Sequence, residues 1–142
     1  MPRRLSLLLC LAALACGPRQ LHVTLSADNN SGQSGTATLT DDGKTMTIVV
    51  ETVEPLYQDA EQFAHIHPGT CGELGPPHVN LTKLAALPNK PGFWGSTTSL
   101  TQTRDGGVNF GFKELSTGDW AINVHDAREN SVYVTCGEIP KP

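Results

Sequence analysis

The stretch Phe63-Ala64-His65-Ile66-His67-Pro68-Gly69-Thr70-Cys71 decides how this chain is read, together with Gly75-Pro76-Pro77-His78 just beyond it. With His78 it holds three of the five histidines in the sequence. Side chains alternate between the two faces of an extended segment, so His65 and His67 point the same way. Two imidazoles placed like this can reach one metal ion together. His78 follows eleven residues after His67, across a Pro/Gly loop able to turn it back toward the pair. A polar surface strand followed by a proline-punctuated loop accounts for the same letters. At this point both readings stand.

Outward from that stretch, the chain reads as all-β. Residues 21–26 alternate apolar and polar, as a half-buried strand does, and Asp28-Asn29-Asn30-Ser31-Gly32 is a turn cluster. Residues 35–40 form a second strand with Ala37 and Leu39 inward. Asp41-Asp42-Gly43-Lys44 marks a hairpin, because Asp-Gly tolerates the positive φ of a tight turn. Residues 45–53 are the strongest strand, with β-branched side chains at most positions. A connection over 54–62, with room for one helical turn, leads to the histidine strand at 63–67, which Pro68 and Gly69 are expected to stop. The long segment 70–93 carries Pro76, Pro77, Pro88 and Pro91, and a short helix is expected at 81–87. Long loops of this kind are functional or tied down. Residues 96–103 and 108–112 form a hairpin around Asp105-Gly106-Gly107, and 115–119 is a corner. Trp120, Ile122 and Val124 lie on one face of the next strand, with Ala121, Asn123 and His125 on the other. Residues 131–136 close the domain. About eight short strands at near-regular spacing predict an antiparallel sandwich or flattened barrel.

The N-terminus reads as a leader and is set apart from the fold. Pro2-Arg3-Arg4 is a short basic region, residues 5–14 are apolar, and Ala13-Leu14-Ala15 is a small-residue cleavage site. The apolar run is shorter than the roughly 20 residues that span a bilayer. Cleavage after Ala15 makes residues 1–15 a signal peptide and Cys16 the new N-terminus, the arrangement of a bacterial lipoprotein, although Ala13 stands where leucine is usual. Residues 16–20 are then a tether and 21–139 the domain. Removing Arg3 and Arg4 leaves eight basic against fourteen acidic residues, a net charge of −6 with histidines neutral. Such a balance lacks the basic patches on which nucleic-acid binding rests.

Cysteine parity fits the same picture. The leader removes Cys10, and Cys71 and Cys136 can pair in an oxidising compartment. Cys16 is left as the odd thiol, explained by lipidation or by cleavage just after it. On the chain-entropy account a bridge closing a loop of about 66 residues contributes roughly 4 kcal/mol. Two buried free thiols are the alternative. The expected location is secreted or periplasmic, with membrane contact only through a lipid anchor.

Taken together, His65-x-His67, the loop residue Cys71, Gly75 with His78, Val124-His125 and Cys136-Gly137 resemble the copper–zinc superoxide dismutase superfamily. The resemblance covers about residues 63–80 and 118–139. It implies an immunoglobulin-like Greek-key sandwich and a copper site built from His65, His67, His78 and His125, with Cys71 bonded to Cys136. In that reading His78 is the proton relay, superoxide is the small anionic substrate, and copper alternates between two redox states. Four imidazole nitrogens suit a tetragonal copper site.

The resemblance breaks in three places. No His, Asp, Glu or Cys occurs in residues 79–104, so the family's zinc ligands have no counterpart and copper alone is expected. Asn80 or Asp126 would then orient a histidine ring, although Asp126 also reads as a solvated carboxylate. Tyr133 stands where the family has its anion-guiding arginine, and Arg128 is the substitute expected, or else a solvent-facing side chain. Ten residues separate His125 from Cys136, too few for the charged loop that steers an anion. Two further readings follow. One is a non-catalytic copper protein that stores, buffers or delivers the metal to a partner protein. The other is a metal-free sandwich like the chordin-type CHRD domains, which share the Ala-His-Ile-His stretch and a late Asn-Val-His. His22 lies outside the pattern and reads as a surface residue.

Overall fold

The computed structural model describes residues 17–101 and 110–142. The leader, the lipidation expected at Cys16, and the hairpin turn at Asp105-Gly106-Gly107 lie outside the described residues. Ten strands and one helical turn make up the rest: β1 (Arg19–Ala27), β2 (Gly35–Asp41), β3 (Thr45–Val53), β4 (Ala64–Thr70), β5 (Glu73–Leu74), β6 (Val79–Asn80), β7 (Ala85–Ala86), β8 (Phe93–Thr101), α1 (Phe112–Leu115), β9 (Trp120–His125) and β10 (Tyr133–Glu138). All pairings are antiparallel, in the order β5-β4-β9-β10-β1-β2-β3-β8-β7, with β6 beside β4.

Among the described residues the sheet does not close, so the flattened-barrel alternative falls and the sandwich stands. Its two halves share β1. Residues Arg19 to Leu25 pair with β2, whereas Ser26 and Ala27 pair with β10. The chain thereby passes from one layer to the other within a single strand. Alternation then builds the core. In β3 every second residue from Met46 to Thr52 is buried, and Met46, Ile48 and Val50 meet Val23, Leu25, Ala37 and Leu39 from the neighbouring strands. Ala64, Ile66, Ile122 and Val124 close the core from the other layer. Period-two burial of β-branched and aliphatic side chains is what made these segments legible as strands.

Four local expectations need correction. The segment 81–87 contains no helix. Leu84 bridges to Gln62 and Ala85–Ala86 pairs with β8, so the segment is drawn into the sheet edge. The connection 54–62 contains no helical turn. Phe112, read as the end of a strand, instead opens α1, whose first N–H groups are met by the side chains of Glu114 and the buried Asp41. Pro68 and Gly69 do not stop β4. Pro68 needs no N–H to stand opposite Trp120, and the Gly69 N–H donates to the Asp119 carbonyl at 2.7 Å. Gly69 has φ of +105°, and a Cβ there would lie 2.2 Å from the Glu73 carbonyl oxygen. Only glycine lets the chain turn back so closely into β5.

Candidate metal centre

β4 and β9 lie side by side with Ala64 opposite Val124, His65 opposite Asn123 and His67 opposite Ala121. Alternation sends Ala64, Ile66, Ile122 and Val124 to the core. It therefore sends His65, His67, Asn123 and His125 to the other face. β10 adds Tyr133 opposite His125 and Cys136 opposite Asn123. His125, distant in sequence, thus shares one patch of sheet with His65 and His67.

Nδ1 of His65 lies 2.8 Å from Nε2 of His125, with the rings nearly perpendicular. The His67 ring meets His65 edge-on, their centroids 5.7 Å apart. One ligand-capable nitrogen from each of the three histidines lies within 4.8 Å of the others. Metal–imidazole bonds of about 2.0–2.1 Å place neighbouring ligand nitrogens roughly 3–3.5 Å apart, so small ring movements bring the three onto one ion. The outer contacts favour that use. Nδ1 of His67 lies 2.8 Å from the Gly75 carbonyl oxygen, and Nδ1 of His125 bonds to the Asn130 carbonyl. A carbonyl only accepts, so both Nδ1 atoms are the donors. In the neutral rings, Nε2 then carries a lone pair. A backbone acceptor that sets the tautomer and aims the ring is the usual support of a ligating histidine.

Burial lowers the pKa of His65, helped by the nearby His125 and His67, to about 4. Burial also lowers that of His125, against the opposing pull of the Asn130 carbonyl. Both rings are uncharged at neutral pH, the form that coordinates a metal. The backbone of His125 is held from both sides. Its N–H donates to the Phe63 carbonyl, and its own carbonyl accepts from the buried Gln62 amide, which pairs in turn with Gln33. The Tyr133 ring packs edge-on against His125, and the Phe63 ring stacks beside His65. Phe63, His65, His125 and Asn130 line an open recess of about 270 Å³, so a ligand or ion can enter from solvent.

The fourth expected ligand is not there. His78 is exposed, and its ring packs against Trp120 and Phe110 with centroids 5.1 and 5.9 Å away. β6 begins only at Val79, so His78 escapes the strand's alternation and rests on an aromatic surface. Neither Asn80 nor Asp126 orients a ring; that work falls to the carbonyls of Gly75 and Asn130. Asp126 instead accepts from the N–H groups of Arg128 and Glu129. Arg128 is committed to Asp59 through two hydrogen bonds and lies over Tyr57, so its guanidinium is not directed at the histidines. His22 is exposed on β1, 3.3 Å from the Thr38 hydroxyl. Cys71 and Cys136 are bonded, their Cα atoms 5.9 Å apart, and the bridge ties the turn after β4 to β10. Sequence reasoning missed the parts played by Gly75, Asn130, Tyr133 and Asn123. Of these only Asn123 left a signal, its shared parity with His125.

A family model, the CHRD domain, matches residues 19–132. Comparison with curated proteins and with solved structures gives no match. The match corrects the resemblance to copper–zinc superoxide dismutases: the family assigned is a different one, and His78 and Arg128 do not take the positions that resemblance requires.

Proposed function

This chain belongs to the CHRD domain family, and we propose that it is a non-catalytic, secreted β-sandwich module that holds one transition-metal ion between His65, His67 and His125. The convergence of three imidazoles, two of them aimed by backbone carbonyls, carries the reading. Imidazole donors suit copper, zinc and nickel, and the Irving–Williams order makes copper the tightest divalent partner. The open recess leaves room for a ligand from solvent or from a partner protein that donates or takes the metal. The leader at residues 1–15 and the cysteine pair support a secreted or lipid-anchored location.

The protein dialysed against excess metal, then against buffer, is expected to keep one copper per chain by elemental analysis. His125→Ala should abolish stoichiometric retention, whereas His78→Ala should leave it unchanged. A second reading rests on the 2.8 Å contact between His65 and His125, which already gives Nδ1 of the one and Nε2 of the other a partner without an ion. In that case the module is metal-free, and the dialysed protein retains no stoichiometric copper.

A further inference from the structure

Asn123 is fully buried in the centre of the histidine patch, directly opposite His65 and two residues before His125 on the same strand face. Its Oδ1 is placed 3.1 Å from Nε2 of His67, while its Nδ2 has no hydrogen-bond partner among the described residues. The His67 tautomer conflicts with that orientation. With Nδ1–H given to the Gly75 carbonyl, a neutral His67 presents only a lone pair at Nε2. A lone pair facing Oδ1 sets acceptor against acceptor. Oxygen and nitrogen of an amide are interchangeable in outline, and turning the group over resolves both faults. Nδ2–H then donates to His67, and the buried amide nitrogen gains the partner it lacked.

A cation at the same Nε2 reverses the preference. It repels the amide N–H and attracts the amide oxygen. Two donors on one ion, at bonds of about 2.0–2.1 Å, stand roughly 3–3.4 Å apart, which matches the spacing of Oδ1 and Nε2. We infer that Asn123 is a fourth, oxygen donor of this site, and that its amide donates to His67 when the site is empty and turns Oδ1 to the ion when it is filled. The inference rests on the metal-binding reading above. It gives the site a nitrogen-rich set with one neutral oxygen, supplied by the residue two positions before His125.

Zinc, which is diamagnetic, is the probe. Calorimetric titration of the full domain compares the wild type with Asn123→Leu, which keeps the volume but removes the donor, and Asn123→Asp, which keeps the oxygen and adds charge. Leu is expected to weaken binding about 10–100-fold or more, the loss typical even of outer partners, and Asp to bind at least as tightly as Asn. The Asn123 side-chain NH2 signals in the ¹⁵N spectrum should move on zinc addition and saturate at one equivalent. Should the Leu variant bind as tightly as the wild type or more tightly, the donor role is overturned. If the Leu variant does not fold, unmoved NH2 signals in zinc-loaded wild type overturn it equally. A wild type that binds no metal instead overturns the metal-binding reading itself.

Discussion

At the scale of single residues, the three clustered histidines owe their chemistry to environment rather than to type. His67 is almost fully buried and His65 only partly so, yet the two stand two positions apart on one strand. The lowered pKa of His65 has a consequence for stability. In the unfolded chain its imidazole takes up a proton near pH 6.5, as an ordinary histidine does, but in the folded protein only near pH 4. Between those values the unfolded state binds more protons, so stability rises with pH. The metal-free protein is therefore expected to be fully stable above about pH 6.5 and to lose stability as the pH falls toward 4. His125 is shifted in the same direction and adds to the trend. Urea unfolding midpoints measured from pH 7.5 to 4 check this, and His65→Gln should flatten the slope.

At the scale of elements, the site is held where β4, β9 and β10 lie side by side, and the loops around them are fastened rather than loose. The Cys71–Cys136 bridge anchors the turn that, four residues after Cys71, presents the Gly75 carbonyl to His67. Replacing both cysteines by serine is expected to cost about 2–5 kcal/mol of stability. It should also weaken metal binding, because the His67 ring loses a fixed acceptor. Chemical denaturation and copper titration of the double variant measure the two effects separately. Gly69 makes a sharper test of the same turn. Gly69→Ala places a Cβ against the Glu73 carbonyl at a φ of +105°, and is expected to destabilise by more than about 1 kcal/mol. The alternation of β1, β3, β4 and β9 was plain from their residues. The small pairings of β5, β6 and β7 were not, since two-residue strands take their conformation from the neighbour they pair with. Hence 81–87, mostly Leu and Ala and without β-branched residues apart from Thr82, looked helical but lies against β8 and Gln62.

At the scale of the whole molecule, a sandwich with one shared strand sets two layers over a common core and leaves an outward face free to carry a site. A ligand that binds only the folded state stabilises it by mass action. Copper or zinc at one hundred times its dissociation constant should therefore add about 2.7 kcal/mol. A domain of this size would gain of order 10 °C in Tm. Thermal melts with and without metal, repeated with His125→Ala, check that expectation, and the variant should show no shift. The residue pattern by itself determined the long strands, the all-β class and the shared face of His65 and His67, and it offered Cys71 and Cys136 as a candidate pair, because each follows from local alternation or from composition. It also placed His125 and Asn123 on one face of their strand. Only the tertiary structure decided which histidines meet. The pairing of β4 with β9 brings His125 to His65 across sixty residues, while His78, close in sequence, turns away to Trp120. Contact between strands depends on which edges pair, and no local period records that choice.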